Sequence, residues 1–127
     1  AFAVGFRSQG VSVLAISSDD EERALATEND WNLRELPLAY GLSLAQANAW
    51  GLYVSSKKEG VTGQGIEEPD FFAEPGLFLV RPDRSLYFAS IQNMPFARPV
   101  LAQVLDMVTW TVANTYPARG EVEAPST

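Results

Sequence analysis

Covalent chemistry by side chains needs a nucleophile, a base or a metal ligand, and two versatile sources are missing: the 127 residues contain no cysteine and no histidine. That excludes disulfides, thiolate nucleophiles, Cys/His zinc sites, haem held by His or Cys, and every Ser–His or Cys–His pair. Hydroxyls remain, but serine and threonine need an activating base that histidine would ordinarily supply. Carboxylates cluster twice. Ser18-Asp19-Asp20-Glu21 fits a capping box; consecutive residues splay around a helix, so the cluster reads as a capped, solvated first turn rather than a metal site. Glu67, Glu68, Asp70 and Glu74 lack the alternating acidic spacing of a calcium loop and read as solvated charge. Neither a metal nor a cofactor is expected, and no P-loop, GxGxxG or GxSxG pattern occurs. Arg98 could bind an anion at a helix start, where backbone amides also point, or pair with a carboxylate. Trp31, Trp50 and Trp110 each fall near a helix end or an apolar stripe and read as packing residues.

The elements that would position these groups follow an α/β order. Val11–Ser17 is a short apolar, β-branched run after Gly10 and predicts a strand buried on both faces, as in parallel sheets. The Ser18 capping box then predicts a helix to about Asp30. Leu36–Tyr40 is a short strand or extended segment, and Ser43-Leu44-Ala45-Gln46 is a second capping box opening a short helix that Gly51 ends. Ser55–Asp70, with Gly60, Gly63 and Gly65, reads as a loop or insertion. Gly76–Val80 and Ser85–Ile91 flank Arg81-Pro82-Asp83-Arg84, which predicts an antiparallel hairpin. Met94–Pro99 leads into a last helix whose stripe is Leu101, Val104, Leu105, Val108 and Val112. From Tyr116 the composition predicts fraying, giving one domain over residues 1–120 and a disordered tail at 121–127.

Charge narrows the partners. Nine basic against sixteen acidic residues give a net charge of −7 and a pI near 4.4, which offers no electrostatic footprint for nucleic acid or an anionic membrane. No apolar run reaches the ~18 residues of a membrane span, and Ala1–Phe6 lacks the charged start and cleavage motif of a signal peptide. A cytoplasmic location is the resulting expectation.

In order and wording the chain resembles the redoxin group, the alkyl hydroperoxide reductase and thiol-specific antioxidant proteins of the thioredoxin fold, including a peroxiredoxin-like bacterial subfamily. The resemblance rests on Val13-Leu14-Ala15-Ile16-Ser17-Ser18-Asp19, on Leu36-Pro37-Leu38 with Ala49-Trp50-Gly51-Leu52, and on the run Glu74–Asp83. Met94–Pro99 and Asn114–Gly120 extend it, so that it covers about residues 10–120. It implies a mixed sheet with a parallel strand, a C-terminal β-hairpin and a closing helix. It also implies that the reactive cysteine, held as thiolate at a helix N-terminus, precedes the segment matching Val11–Ser17. Ala1–Gln9 would be the tail of that helix and the chain N-terminally incomplete.

The resemblance further implies a would-be active-site wall at Glu74, Pro75 and Gly76. Thiol peroxidases of the group commonly carry an arginine just before the Leu-Phe-Leu-Val strand. Here the residue is Pro75, at the position of the thioredoxin cis-proline, which leans toward thiol–disulfide exchange or a divergent peroxidase; the plain alternative is a proline that only starts a strand. A cis Glu74–Pro75 bond is predicted. The complete form would be an antioxidant oxidoreductase, this chain having no catalytic residue and no thiol-dependent activity of its own; the alternative is a non-catalytic thioredoxin-fold interaction module. The implied central strand would lie between Val11–Ser17 and Gly76–Val80, so a missing N-terminal segment, a strand from another copy in a homo-oligomer, or a rearrangement is expected to fill that place.

Overall fold

The computed structural model describes residues 2–17, 37–56 and 70–126. The helix expected after Ser18, Trp31, Glu67 and Glu68 lie outside these residues. The first element, α1 (Phe2–Ser8), ends where Gly10 takes a positive φ of 79°. Its last carbonyls are satisfied there: Phe6 accepts from the amides of Gln9 and Val11 (both 3.0 Å), and Arg7 accepts from Gly10 (2.9 Å), an end that a left-handed glycine makes possible.

The predicted strand at Val11–Ser17 shortens to β1 (Ala15–Ile16), which pairs in parallel with β2 (Leu38–Ala39). Pro37 limits the ladder, because it has no N–H and contributes only its carbonyl, to Ala15 at 3.0 Å. Burial on both faces is not met: Val11 and Val13 turn inward, while Leu14 and Ile16 are 59% and 54% exposed.

The second capping box forms in full. The Gln46 amide donates to Ser43 Oγ (3.1 Å) and the Ser43 amide donates to Gln46 Oε1 (2.9 Å), opening α2 (Leu44–Ala49), which stops at Gly51 with φ 78°. The region read as a loop from Ser55 instead begins with β3 (Val54–Ser56), antiparallel to β4 (Phe71–Ala73) with Ser55 opposite Phe72. Backbone pairing across 15 or more residues of sequence overrode the local polar and glycine-rich composition.

The predicted hairpin is β5 (Gly76–Val80) against β6 (Leu86–Ile91), with a register irregularity at Leu79/Val80 and Arg84 at φ 71° in the turn. A 3₁₀ turn at Pro95–Ala97 precedes α3 (Leu101–Ala113), so the last helix starts later than Pro95 suggested. Only the middle of its predicted stripe is deeply covered: Val104 and Val108 are buried, whereas Leu101 and Val112 are exposed.

These elements make an α/β arrangement of three two-stranded sheets, with β1 and β5 in different sheets among the described residues. The core lies where α1 crosses α3. Phe6, Val104 and Val108 form its centre, and Val11, Val13, Leu77, Leu79, Leu105 and Met107 pack around it. Gly5 permits the crossing: a β-carbon there would sit 2.6 Å from Leu105 Cδ2. One face of the Val11–Val13 segment and one face of β5 thus rest on the same helix pair, with alternate residues directed inward as an extended strand requires.

Candidate functional site

The Glu74–Pro75–Gly76 junction is where the chain passes from the β3–β4 pair to the β5–β6 hairpin. Glu74 still belongs to the first pair by its backbone, its amide donating to the Tyr53 carbonyl at 2.7 Å. Its half-buried carboxylate accepts the Ser55 hydroxyl, also at 2.7 Å. Pro75 is exposed and has no N–H to continue a ladder, so the strand order changes at this residue. Gly76 then enters β5 opposite Ile91. A β-carbon at Gly76 would lie 2.3 Å from Leu52 Cδ2 and 3.0 Å from Phe78 Cε2, so any side chain here would have to displace the Leu52 methyl that packs over the glycine. Behind it, Trp50 meets Phe78 edge-on with ring centroids 4.8 Å apart, tying the end of α2 to β5.

The predicted cis bond is not found. The described residues contain no cis peptide, so Glu74–Pro75 is trans. A trans Pro75 lacks the backbone geometry that pointed to disulfide exchange, and it is a proline at the start of a strand. Arg98 ends the 3₁₀ turn in extended conformation (φ −66°, ψ 142°) and is exposed. Among the described residues it forms no ion pair, with Glu74 or any other carboxylate, and the N-cap of α3 at Val100 provides no side-chain hydrogen bond. The sequence-derived site residues are therefore not assembled into one constellation.

No family model, curated protein or solved structure matches this chain.

Ser55 and Glu74 are the pair that the sequence did not suggest. They are 19 positions apart, and meet only because β3 pairs with β4. The signal was present in the short apolar runs Tyr53-Val54 and Phe71-Phe72-Ala73 on either side of the glycine-rich stretch, which is a hairpin signature with a long connection. A hydroxyl donating to a carboxylate is half of a nucleophile–base arrangement, but among the described residues no third group hydrogen-bonds to either side chain to orient it. Its evident role is to fasten the junction. Likewise, the described residues hold no cluster of three or more acidic side chains able to bind a metal, and none of their helices is long and apolar enough to cross a membrane.

A second polar cluster occupies the β5–β6 turn. Asp83 accepts both the hydroxyl and the amide of Ser85, the latter at 2.9 Å, and these bonds hold its carboxyl below the ordinary carboxylate pKa. Arg81 donates through Nε to Ser85 Oγ (2.7 Å) and through Nη2 to Glu121, and the Glu121 hydrogen bond raises its pKa further above the ordinary value.

Proposed function

We propose that this chain is the scaffold portion of a redoxin-family, thioredoxin-like protein whose complete form is a thiol-dependent antioxidant oxidoreductase, with the thiolate supplied by a segment preceding Ala1. The observation that carries the reading is the arrangement around the α1–α3 core. Val11 and Val13, which lead into β1, and Leu77 and Leu79 of β5 pack against the same core, yet β1 and β5 share no sheet among the described residues. The redoxin resemblance calls for a central strand between just these two. A strand inserted there would give each of them a hydrogen-bonding neighbour, where a buried unsatisfied backbone group costs about 1–3 kcal/mol.

In this reading the residues present do no covalent step. They wall the site at Glu74–Gly76, with Leu52 packed over Gly76 and the Ser55–Glu74 bond holding the junction in place. A peroxidase role and a disulfide-exchange role both remain compatible with a trans Pro75, and the cytoplasm is the proposed compartment.

The test is to express the natural reading frame extended upstream of Ala1 beside residues 1–127 alone, and to follow thiol-driven peroxide consumption and disulfide reduction. The extended protein is expected to carry a cysteine and to turn over at least one substrate class, while residues 1–127 remain inactive. An extended frame without cysteine, or an initiation codon immediately before Ala1, would overturn the reading in favour of a non-catalytic interaction module.

A further inference from the structure

The segment after α3 returns across the β5–β6 hairpin and is held at two separated points. At the near end the Tyr116 amide donates to the Thr111 carbonyl (3.0 Å). Its carbonyl accepts the Tyr87 hydroxyl from β6 (2.7 Å), and its ring lies 5.4 Å from that of Trp110. At the far end the Glu121 carboxylate pairs with Arg81, the residue that also holds the hairpin turn through Ser85. Between them Arg119 donates to the Tyr116 hydroxyl (3.3 Å), and Gly120 at φ 76° supplies the bend.

We infer that Tyr116–Glu121 is a strap fastening α3 to the hairpin, and that its far end opens when the Arg81–Glu121 ion pair is screened by salt. The two ends differ in kind. Tyr116 is held by neutral hydrogen bonds and ring packing, which salt leaves in place; Glu121 is held by one partly exposed ion pair, which salt weakens. The groups facing Arg81 are Glu121, Asp83 and Tyr87. Asp83 is engaged by Ser85 and Tyr87 donates to Tyr116, so Glu121 is the group whose charge decides the state of the strap. With Tyr116 fixed, the pivot lies within the strap, where Gly120 takes a positive φ of 76°. This inference does not depend on the redoxin reading.

The strap contains its own reporter, since trypsin can cut between Arg119 and Gly120 only when the segment is free to enter the protease. Cleavage after Arg119 is followed by mass spectrometry, with cleavage after Arg7 in α1 as internal reference. Glu121→Gln, which removes the charge at nearly constant shape, is expected to raise the Arg119 rate about two- to five-fold at low salt, the range for one exposed ion pair, without moving the Arg7 rate. Salt at about 0.5 M is expected to bring the natural protein up to the variant's rate and to leave the variant unchanged. Tyr87→Phe is expected to add a further increase to Glu121→Gln by loosening the near end. Equal Arg119 rates in the natural protein and Glu121→Gln, or a salt response that persists in the variant, would overturn the inference.

Discussion

The close approach of α1 and α3 offers a substitution whose sign can be reversed on demand. Replacing Gly5 by alanine should favour helix α1 by about 0.8–1.0 kcal/mol, because alanine loses less backbone entropy than glycine in a helix. Against that, the new β-carbon would lie 2.6 Å from Leu105 Cδ2 and 3.5 Å from Cδ1, and displacing a packed side chain costs about 1–3 kcal/mol. The clash should win, leaving Gly5→Ala destabilised by about 1 kcal/mol. Leu105→Val removes the two atoms responsible: Leu105 Cγ is 3.7 Å from the site, an ordinary contact distance, and the methylene lost costs about 0.8 kcal/mol. In that background Gly5→Ala should become stabilising by nearly the full helix-propensity term, for a coupling of about 1–3 kcal/mol. Urea unfolding of the four proteins, read by tryptophan fluorescence, gives the cycle from the midpoints provided the slopes agree. If Gly5→Ala shifts the midpoint equally in both backgrounds, Leu105 is not what opposes the β-carbon and the α1–α3 crossing is wrong.

Three further outcomes are expected. Ser43→Ala should cost about 1 kcal/mol by leaving the first turn of α2 uncapped, and an unchanged urea midpoint would contradict the capping geometry. Val108→Ala, at a residue 3% exposed, should cost about 2–3 kcal/mol, two methylene equivalents of transfer plus a cavity, whereas Val112→Ala, 54% exposed on the same helix, should stay within about 0.5 kcal/mol; similar costs at both would place the helix in the wrong rotation. Asp83, whose folded pKa is lowered by Ser85, contributes stability that is present above the ordinary carboxylate pKa and lost as pH falls through the lowered one. Asp83→Asn should therefore flatten part of the acid limb of a melting-temperature profile between about pH 5 and pH 2, and an acid limb identical to that of the natural protein would refute the assignment.

Local signals were legible where one stretch of chain decides the outcome. The Ser43–Gln46 box, the stop at Gly51 and the turn between β5 and β6 all rest on chemistry within four or five residues, and all are present. Two extended segments were legible at Val11–Ser17 and Leu36–Tyr40, but neither their parallel pairing with each other nor its short length was, since the ladder depends on how much of the partner can pair and Pro37 curtails it. β3 was missed because its partner lies beyond a glycine-rich stretch, and Ser55–Glu74 was missed with it. Fraying from Tyr116 took no account of Arg81 and Tyr87, which are 40 and 29 positions from the residues they hold. The proposed site fared as composition would suggest: what cysteine and histidine cannot do here was certain from the sequence, while Arg98 and Pro75 depended on backbone detail that no pattern encodes.

The edges of β1 and β5 bear on what surrounds the core. Free edges in natural proteins are commonly guarded by charge, by proline or by a bulge, because unpaired amides and carbonyls beside apolar side chains invite association. Arg81, Asp83 and Arg84 guard the turn of the hairpin in this way. Val11–Ile16 and Gly76–Val80 carry no charged residue and no proline, and Leu14, Ile16 and Val80 are more than half exposed. An uncharged, β-branched strand with apolar residues on both faces is the composition of a strand inside a parallel sheet. Among the described residues β1 and β5 share no sheet, and the uncharged, apolar composition of their edges favours association with a further strand.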